Sequence, residues 1–347
     1  MKLAVVLFNL GGPDSLAAVE PYLRNLFSDP AIISLPGIVR LPLARWIASR
    51  RAPVARKIYE HLGGGSPILP ETEAQARALE AALKAMGHEA RCFIAMRCWH
   101  PFTAEAVAGV KAYQPERVVL LPLYPQFSTT TTESSLKEWS KLARQAGLRA
   151  PQHEVCCYPY EKGFVEAVIA LLEDALGKTK AGISYRALFS AHGLPKRVVD
   201  RGDPYQWQVE RTVDAIIAGT KSPQTLEYSI CYQSRVGPLE WIGPATDAEI
   251  KRAGAEKKGL IVVPVAFVSE HSETLVELDI EYGRLARECG VPDYIRVPAT
   301  RTHPAFIAGL ARLVASAVTA KTPVNCADGR ICPAGRTCGH ERVPAHV

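Results

Sequence analysis

The chain has 347 residues, 48% of them hydrophobic and 22% charged, values that fit two folded domains of ordinary size and exclude wholesale disorder. Its net charge of +6 comes without the runs of Lys and Arg interleaved with aromatics that nucleic acid demands, which leaves acidic ligands or an anionic membrane surface as partners. No stretch reaches 18 consecutive apolar residues, and nine cysteines in a chain whose first apolar run lacks a small-residue cleavage site point to reduced thiols in a cytoplasmic protein.

"KLAVVLFNLG" reads as a buried first strand, and a helical pattern follows from Ser15 to Phe27. Between Arg40 and Lys57 stand six basic side chains (Arg40, Arg45, Arg50, Arg51, Arg56, Lys57) and no acid, with Trp46 and Ile47 among them. Two readings stay open: a solvated basic face, or a lip that meets acidic lipid headgroups or ligand carboxylates. "GGGSP" at Gly63–Pro67 lacks the Lys-Ser/Thr pair of a phosphate loop, and "NLGGPDS" lacks dinucleotide spacing, so nucleotide binding is rejected. Then come a helical pattern over Glu71–Met86, the strand "EARCFIAM", a helix over Thr103–Tyr113 and the strand "RVVLLPLYP" with a hydroxyl-rich run behind it. "LRAPQ" interrupts the pattern at Ala150–Gln152, where the domain boundary is expected.

The alternation continues to the end of the chain, with strands in "HEVCCY", "YRALFSAH", "LEYSICYQS", "GLIVVPVAF" and "DYIRVP", and helices at Phe164–Leu176 and His303–Val318. Eight strands with helical crossovers predict an α/β fold of two doubly wound parallel sheets, four strands each. The expected domains are 1–150, joined by the helix at 303–320, then 151–302, with a cysteine-containing tail at 321–347. Ligands of such sheets sit outside the carboxyl ends of the strands.

His192 ends the strand "YRALFSAH", so that rule puts a titratable ring at a functional edge. In "SEHSETLVELDIEY", Glu273, Glu277 and Glu281 fall at i, i+4 and i+8, with Glu270 and His271 beside them. On a solvated helix that row is only a like-charge stripe. At the end of a buried strand, a carboxylate row can carry protons or a divalent cation, and one His facing one Glu makes an acid/base pair. Trp241, in the Gly/Pro-rich "VGPLEWIGPATD", and Tyr124, in "LPLYPQFS", belong to loops read as lining a broad apolar cavity. Cys326, Cys332 and Cys338 are separated by five residues each in a Gly/Pro-rich tail. Three thiols are one short of a metal site, and Cys156, Cys157 or His340 can supply a fourth ligand; zinc, an iron–sulfur centre and uncoordinated thiols all stay open.

"LFNLGGPDS", "GGGSPI", "LPLYPQFS", "LFSAHGLP", "RGDPY", "YQSRVGPLEWIGPATD" and "PVAFVSEHSETLVELDIEY" occur in this order, and over roughly residues 1 to 320 the chain resembles ferrochelatase. The resemblance implies two Rossmann-like domains with a porphyrin cleft between them, and insertion of Fe(II) into protoporphyrin IX with release of two protons, the last step of haem synthesis. By the same likeness, His192 and Glu273 are the catalytic pair, and Glu277 and Glu281 continue an acidic trail from them for the iron. Arg97, Tyr124 and Gln126 match pocket-facing positions, although Cys98 stands where a tyrosine is common. Some members hold a 2Fe-2S cluster on C-terminal cysteines plus one internal cysteine, which implies Cys326, Cys332, Cys338 and Cys157 (or Cys156) here. Three other readings remain: a coproporphyrin ferrochelatase, a cobalt or nickel chelatase, and a metal- or tetrapyrrole-binding protein without turnover. Contact with the inner face of a membrane and a homodimer complete the expectations.

Overall fold

Six consecutive residues of the first strand, Leu3 to Phe8, have no solvent exposure, which is what a central strand covered on both faces requires. The computed structural model describes the chain apart from residues 222, 223, 225, 236, 238, 321, 323, 326–329 and 338–347. It divides into two units, Met1–Tyr158 with Leu310–Ile331, and Pro159–Gly309 with Cys332–Arg336.

The first unit runs β1 (Lys2–Asn9), α1 (Val19–Ser28), α2 (Gly37–Glu60), α3 (Ile68–Ala85), β2 (Glu89–Met96), α4 (Thr103–Tyr113), β3 (Arg117–Pro122), α5 (Thr132–Gln145) and β4 (Gln152–Val155). The second runs α6 (Lys162–Leu176), β5 (Tyr185–His192), α7 (Lys196–Asp200), α8 (Tyr205–Gly219), β6 (Glu227–Gln233), α9 (Thr246–Ala255), β7 (Gly259–Pro264), a π-helix (Glu273–Tyr282), α10 (Gly283–Glu288) and β8 (Tyr294–Arg296). The division between units falls inside α11 (Pro304–Thr319), after which β9 (Val324–Asn325) returns to the first unit.

Every strand pair is parallel, in the orders β2-β1-β3-β4-β9 and β6-β5-β7-β8. Two expectations need correction. The first sheet has a fifth strand, because Val324 and Asn325 pair with Glu154 and Val155; two residues carry no periodicity by which to be recognised. The boundary expected at Ala150–Gln152 comes too early, since β4 pairs with β3 and the first unit continues to Tyr158. The Pro in "LRAPQ" stands just before β4 and marks only the turn into that strand.

In the first unit, Phe8 meets Trp139 of α5 edge to face at 5.9 Å, within a core that includes Val6, Val118 and Leu120. α2 carries Pro42 and Pro53 inside it, and the sequence reading placed no helix there. Ala44, Ala48 and Ala52 recur every four residues along its buried face, and Ala48 and Ala52 pack with Val19, Tyr22 and Leu23 of α1. In the second unit Leu188, Cys231, Leu260 and Val262 of the sheet share a core with Leu278 of the π-helix. That anchor holds the π-helix against the sheet at the end of β7.

Candidate functional site

The second sheet changes direction between β5 and β7, its two central strands, so the crevice beyond their carboxyl ends is a topological switch point. His192 is the last residue of β5, and the π-helix begins nine residues after β7. The His192 Nδ1 hydrogen donates to the Gly193 carbonyl at 2.6 Å. This bond fixes the tautomer: in the neutral ring the lone pair sits on Nε2. Nε2 faces Glu273, 3.7 Å from Oε1. The backbone bend that makes this possible leaves no room for a side chain at Gly193, where a Cβ would lie 2.9 Å from the Gln233 carbonyl and 3.2 Å from the Trp241 ring.

Glu273 lies between two imidazoles, since its Oε2 is 3.7 Å from His271 Nε2. Burial raises the pKa of a carboxyl, but here the charge of His192, then the hydrogen bond and charge of His271, outweigh it and hold Glu273 down at about 2. Glu277 goes the other way. Burial first, then the Glu273 charge, lift its pKa above the usual carboxylate value, against the pull of its hydrogen bonds to Ser234 and Gln233. Two carboxyls one turn apart thus differ in proton affinity, an arrangement suited to passing a proton between them.

Glu277 is fixed by four donors: the Ser234 amide (2.8 Å), the Ser234 hydroxyl (2.5 Å), Gln233 Nε2 (3.1 Å) and the Tyr282 hydroxyl (3.1 Å). Ser234 reaches it from a left-handed backbone conformation, φ +60°. Gln233 is the hub. Its Oε1 accepts from Ser190 Oγ of β5 at 2.8 Å, while its Nε2 donates to the Glu273 carbonyl at 2.9 Å and to Glu277.

The acidic row was expected on an α-helix and stands on a π-helix. In this wider coil, residues four apart fall just short of a turn instead of just past it, so the row still shares one face. Neighbouring side chains occupy carbonyls of the widened turns: Gln233 takes that of Glu273, and the Tyr294 hydroxyl that of Leu278 at 2.7 Å. Glu281 lies exposed on the same helix. Behind the site, Arg296 pairs with Glu270 at 2.7 Å and with both oxygens of Asp279 at 2.7 Å, which ties the loop after β7 and the π-helix to β8.

His192, Glu273, Glu277 and Trp241 therefore come together in one unit. Trp241 enters through backbone pairing of its loop with Leu194–Lys196, and its Nε1 is buried without a hydrogen-bond partner among the described residues. Arg97, Tyr124 and Gln126 belong to the first unit. Arg97 is bound to Asp29 (2.8 Å) and Ser134 (2.9 Å), so its charge is already balanced inside that unit. The Tyr124 hydroxyl is buried, with its pKa pushed up by that burial, and Gln126 is buried as well. The sequence reading placed His271 beside the row, but passed over the hub role of Gln233 and over Tyr282. The register of β5 with β6, which sets His192 opposite Gln233, is the signal that links them, and it exists only once the strands pair.

Of the expected cluster ligands, Cys326 and Cys338 lie outside the described residues. Cys156 and Cys157 follow β4 with no exposure, and Cys332 is 5% exposed with Gln208 Nε2 donating to its sulfur at 3.1 Å. Buried sulfurs, one of them receiving an N–H, are the kind of donor that iron–sulfur ligation uses. Among the described residues no three His, Cys, Asp or Glu side chains form a ready metal site, and no helix is long and apolar enough to cross a membrane.

A family model described as Ferrochelatase matches residues 2–318. A Caulobacter vibrioides protein named Ferrochelatase is 56% identical over 96% of this chain and 95% of its own length. A Phenylobacterium zucineum protein of the same name is 55% identical over 92% of each. Among solved structures, SirB from Bacillus subtilis with Fe3+ superposes with a TM-score of 0.51 at 12% identity, over 92% of this chain and 96% of that one, a likeness of fold.

Proposed function

The chain belongs to the ferrochelatase family, enzymes that insert iron into porphyrin in haem biosynthesis, and on that premise we propose that His192 Nε2 takes the pyrrole protons of protoporphyrin IX while Glu273 steadies the imidazolium. A porphyrin carries two inner N–H protons that must leave before Fe(II) can be held by four nitrogens. The observation that carries this assignment is the 2.6 Å bond from Nδ1 to the Gly193 carbonyl, which leaves Nε2 as the basic nitrogen. Glu273 stays ionised down to about pH 2, so it favours the ring once it has gained a proton. Glu277, with its raised affinity for protons, is the next acceptor, and the exposed Glu281 leads on to solvent. The same carboxylates can pass Fe(II), a hard-oxygen and imidazole metal in this setting.

The test is an anaerobic assay of Fe(II) with protoporphyrin IX, followed by loss of porphyrin fluorescence, for the wild type beside His192→Ala. Loss of turnover only in the variant is expected, and equal turnover in both overturns the assignment. Competition with coproporphyrin distinguishes the two substrates.

Two further roles are proposed. Cys332, with Cys326, Cys338 and Cys157 or Cys156, holds a 2Fe-2S cluster; the buried sulfurs support this, and when bound the cluster supplies one-electron redox chemistry. Protein purified anaerobically should absorb in the visible and contain iron bound to sulfide, and colourless iron-free protein refutes it. The exposed apolar and basic side chains of α2 support contact with an anionic membrane surface, to be checked by liposome flotation with and without salt.

A further inference from the structure

α1 and α2 enclose a surface recess of about 250 Å³ lined by Ala17, Glu20, Pro21, Arg24, Arg45, Ala48 and Arg56. Three guanidiniums and one carboxylate face it. Arg56 is already committed: its Nη2 is 3.6 Å from Glu20, and its Nε donates to the Leu16 carbonyl at 3.3 Å. Arg24 and Arg45 make no ion pair among the described residues. Two unpaired forks from different helices, aimed at one small recess, call for an anion with several acceptor oxygens.

The surroundings narrow the class of anion. Ile38, Leu41 and Arg45 are spaced three and four residues apart, so they run along one stripe of α2. Leu41 is 55% exposed and Ile38 85%, one and two turns from the recess, and Trp46 (58%) and Val39 (50%) flank them. The only acid on α2 is its last residue, Glu60. A phosphate-sized charge site with an apolar ridge leading away from it along the same helix matches the two ends of a phospholipid.

We propose that this recess binds the phosphate of an anionic phospholipid, with Arg24 and Arg45 as its ligands, Arg56 as a wall fixed by Glu20, and Ile38 and Leu41 against the acyl region. The inference rests on the membrane contact proposed above and adds a defined headgroup site to it. The experiment is flotation of the full chain with phosphatidylglycerol-containing vesicles and with pure phosphatidylcholine vesicles. It compares the wild type, Arg24→Gln/Arg45→Gln, and a control of equal charge change on exposed α3 positions, Arg77→Gln/Lys84→Gln; thermal melting confirms that all three fold.

The wild type should bind the anionic vesicles, the recess variant should lose roughly tenfold or more in partitioning, and the control less than about twofold. Equal losses in the two variants overturn the site and leave only diffuse charge attraction. A wild type that ignores anionic vesicles at low salt overturns the membrane reading itself. Millimolar glycerol phosphate provides the soluble arm: if it stabilises the wild type against heat but not the recess variant, while vesicles fail to bind, the occupant is a free phosphate ester and the lipid assignment falls.

Discussion

Replacing His192 with alanine takes away one of the two charges that hold Glu273 ionised. At the observed 3.7 Å, a pair of unit charges interacts by about 1 kcal/mol in water and about 4 kcal/mol at an effective dielectric constant of 20. At 1.36 kcal/mol per pKa unit that spans roughly one to three units. The imidazole is 39% exposed, so solvent screening puts the effect near the lower end, about one unit. Glu273 should therefore titrate at about 3 or above in His192→Ala, instead of at about 2, because burial is then opposed by His271 alone. The sign for stability follows from a depressed carboxyl: its contribution is present above the ordinary value of 4.5 and is lost as pH falls through about 2. The variant should lose it at a higher pH, and its acid-unfolding midpoint should shift upward. Carbon-13 NMR of glutamate-labelled protein, with Glu273→Gln to assign the carboxyl, reads the titration directly. Iron insertion should fall by about a hundredfold or more, the range of a lost general base. A Glu273 carboxyl that still titrates at about 2 without His192 would refute the electrostatic coupling, and unchanged turnover would refute the base.

The same network yields three more expected outcomes. Gln233→Leu strips Ser190, the Glu273 carbonyl and Glu277 of their shared partner, and should cost about 1 to 3 kcal/mol in denaturant unfolding, with turnover falling more than substrate binding. Ser234→Ala removes a hydroxyl donor to Glu277; since that bond lowers a pKa already raised by burial and by Glu273, the carboxyl should hold its proton to still higher pH in a carboxyl titration. Gly193→Ala forces a Cβ against the Gln233 carbonyl and the Trp241 ring, and should cut iron insertion strongly while far-ultraviolet circular dichroism stays near that of the wild type.

The strands were legible because a central parallel strand, apolar on both faces, has a signature that survives without context. β1 and β7 are of this type, and β5 is apolar through Ala187–Phe189 although it also carries Arg186 and Ser190; the end of β5 set where His192 would stand. The helix Thr103–Tyr113 was read with its bounds intact, whereas α2 was not read as a helix at all. Two prolines inside a run of arginines look like a loop, and the alanine face that seats this helix means something only when α1 lies against it. The same kind of information was missing at the fifth strand: Val324–Asn325 pairs because β4 offers it an open edge, and nothing in two residues announces that edge.

For the site, the split runs between residue identity and residue state. His192, Glu273 and Glu277 could be picked from their place after strands and their spacing. That Glu273 is held down to about 2 while Glu277 is pushed up could not, since the difference arises from His271 on one side and the buried, donor-lined pocket of Gln233, Ser234 and Tyr282 on the other. An α-helical wheel puts the three carboxylates in equivalent positions. The π-helix, anchored by Leu278 in the core and by Gln233 and Tyr294 at its carbonyls, makes them unequal: one between two imidazoles, one among four hydrogen-bond donors, and one exposed. On the proposed route a proton leaving His192 would meet carboxyls in graded environments, and the grade is set by His271, by Gln233 and Ser234 at the end of β6 and by the π-helix's own Tyr282, so the hub Gln233 should matter as much to direction as the row itself.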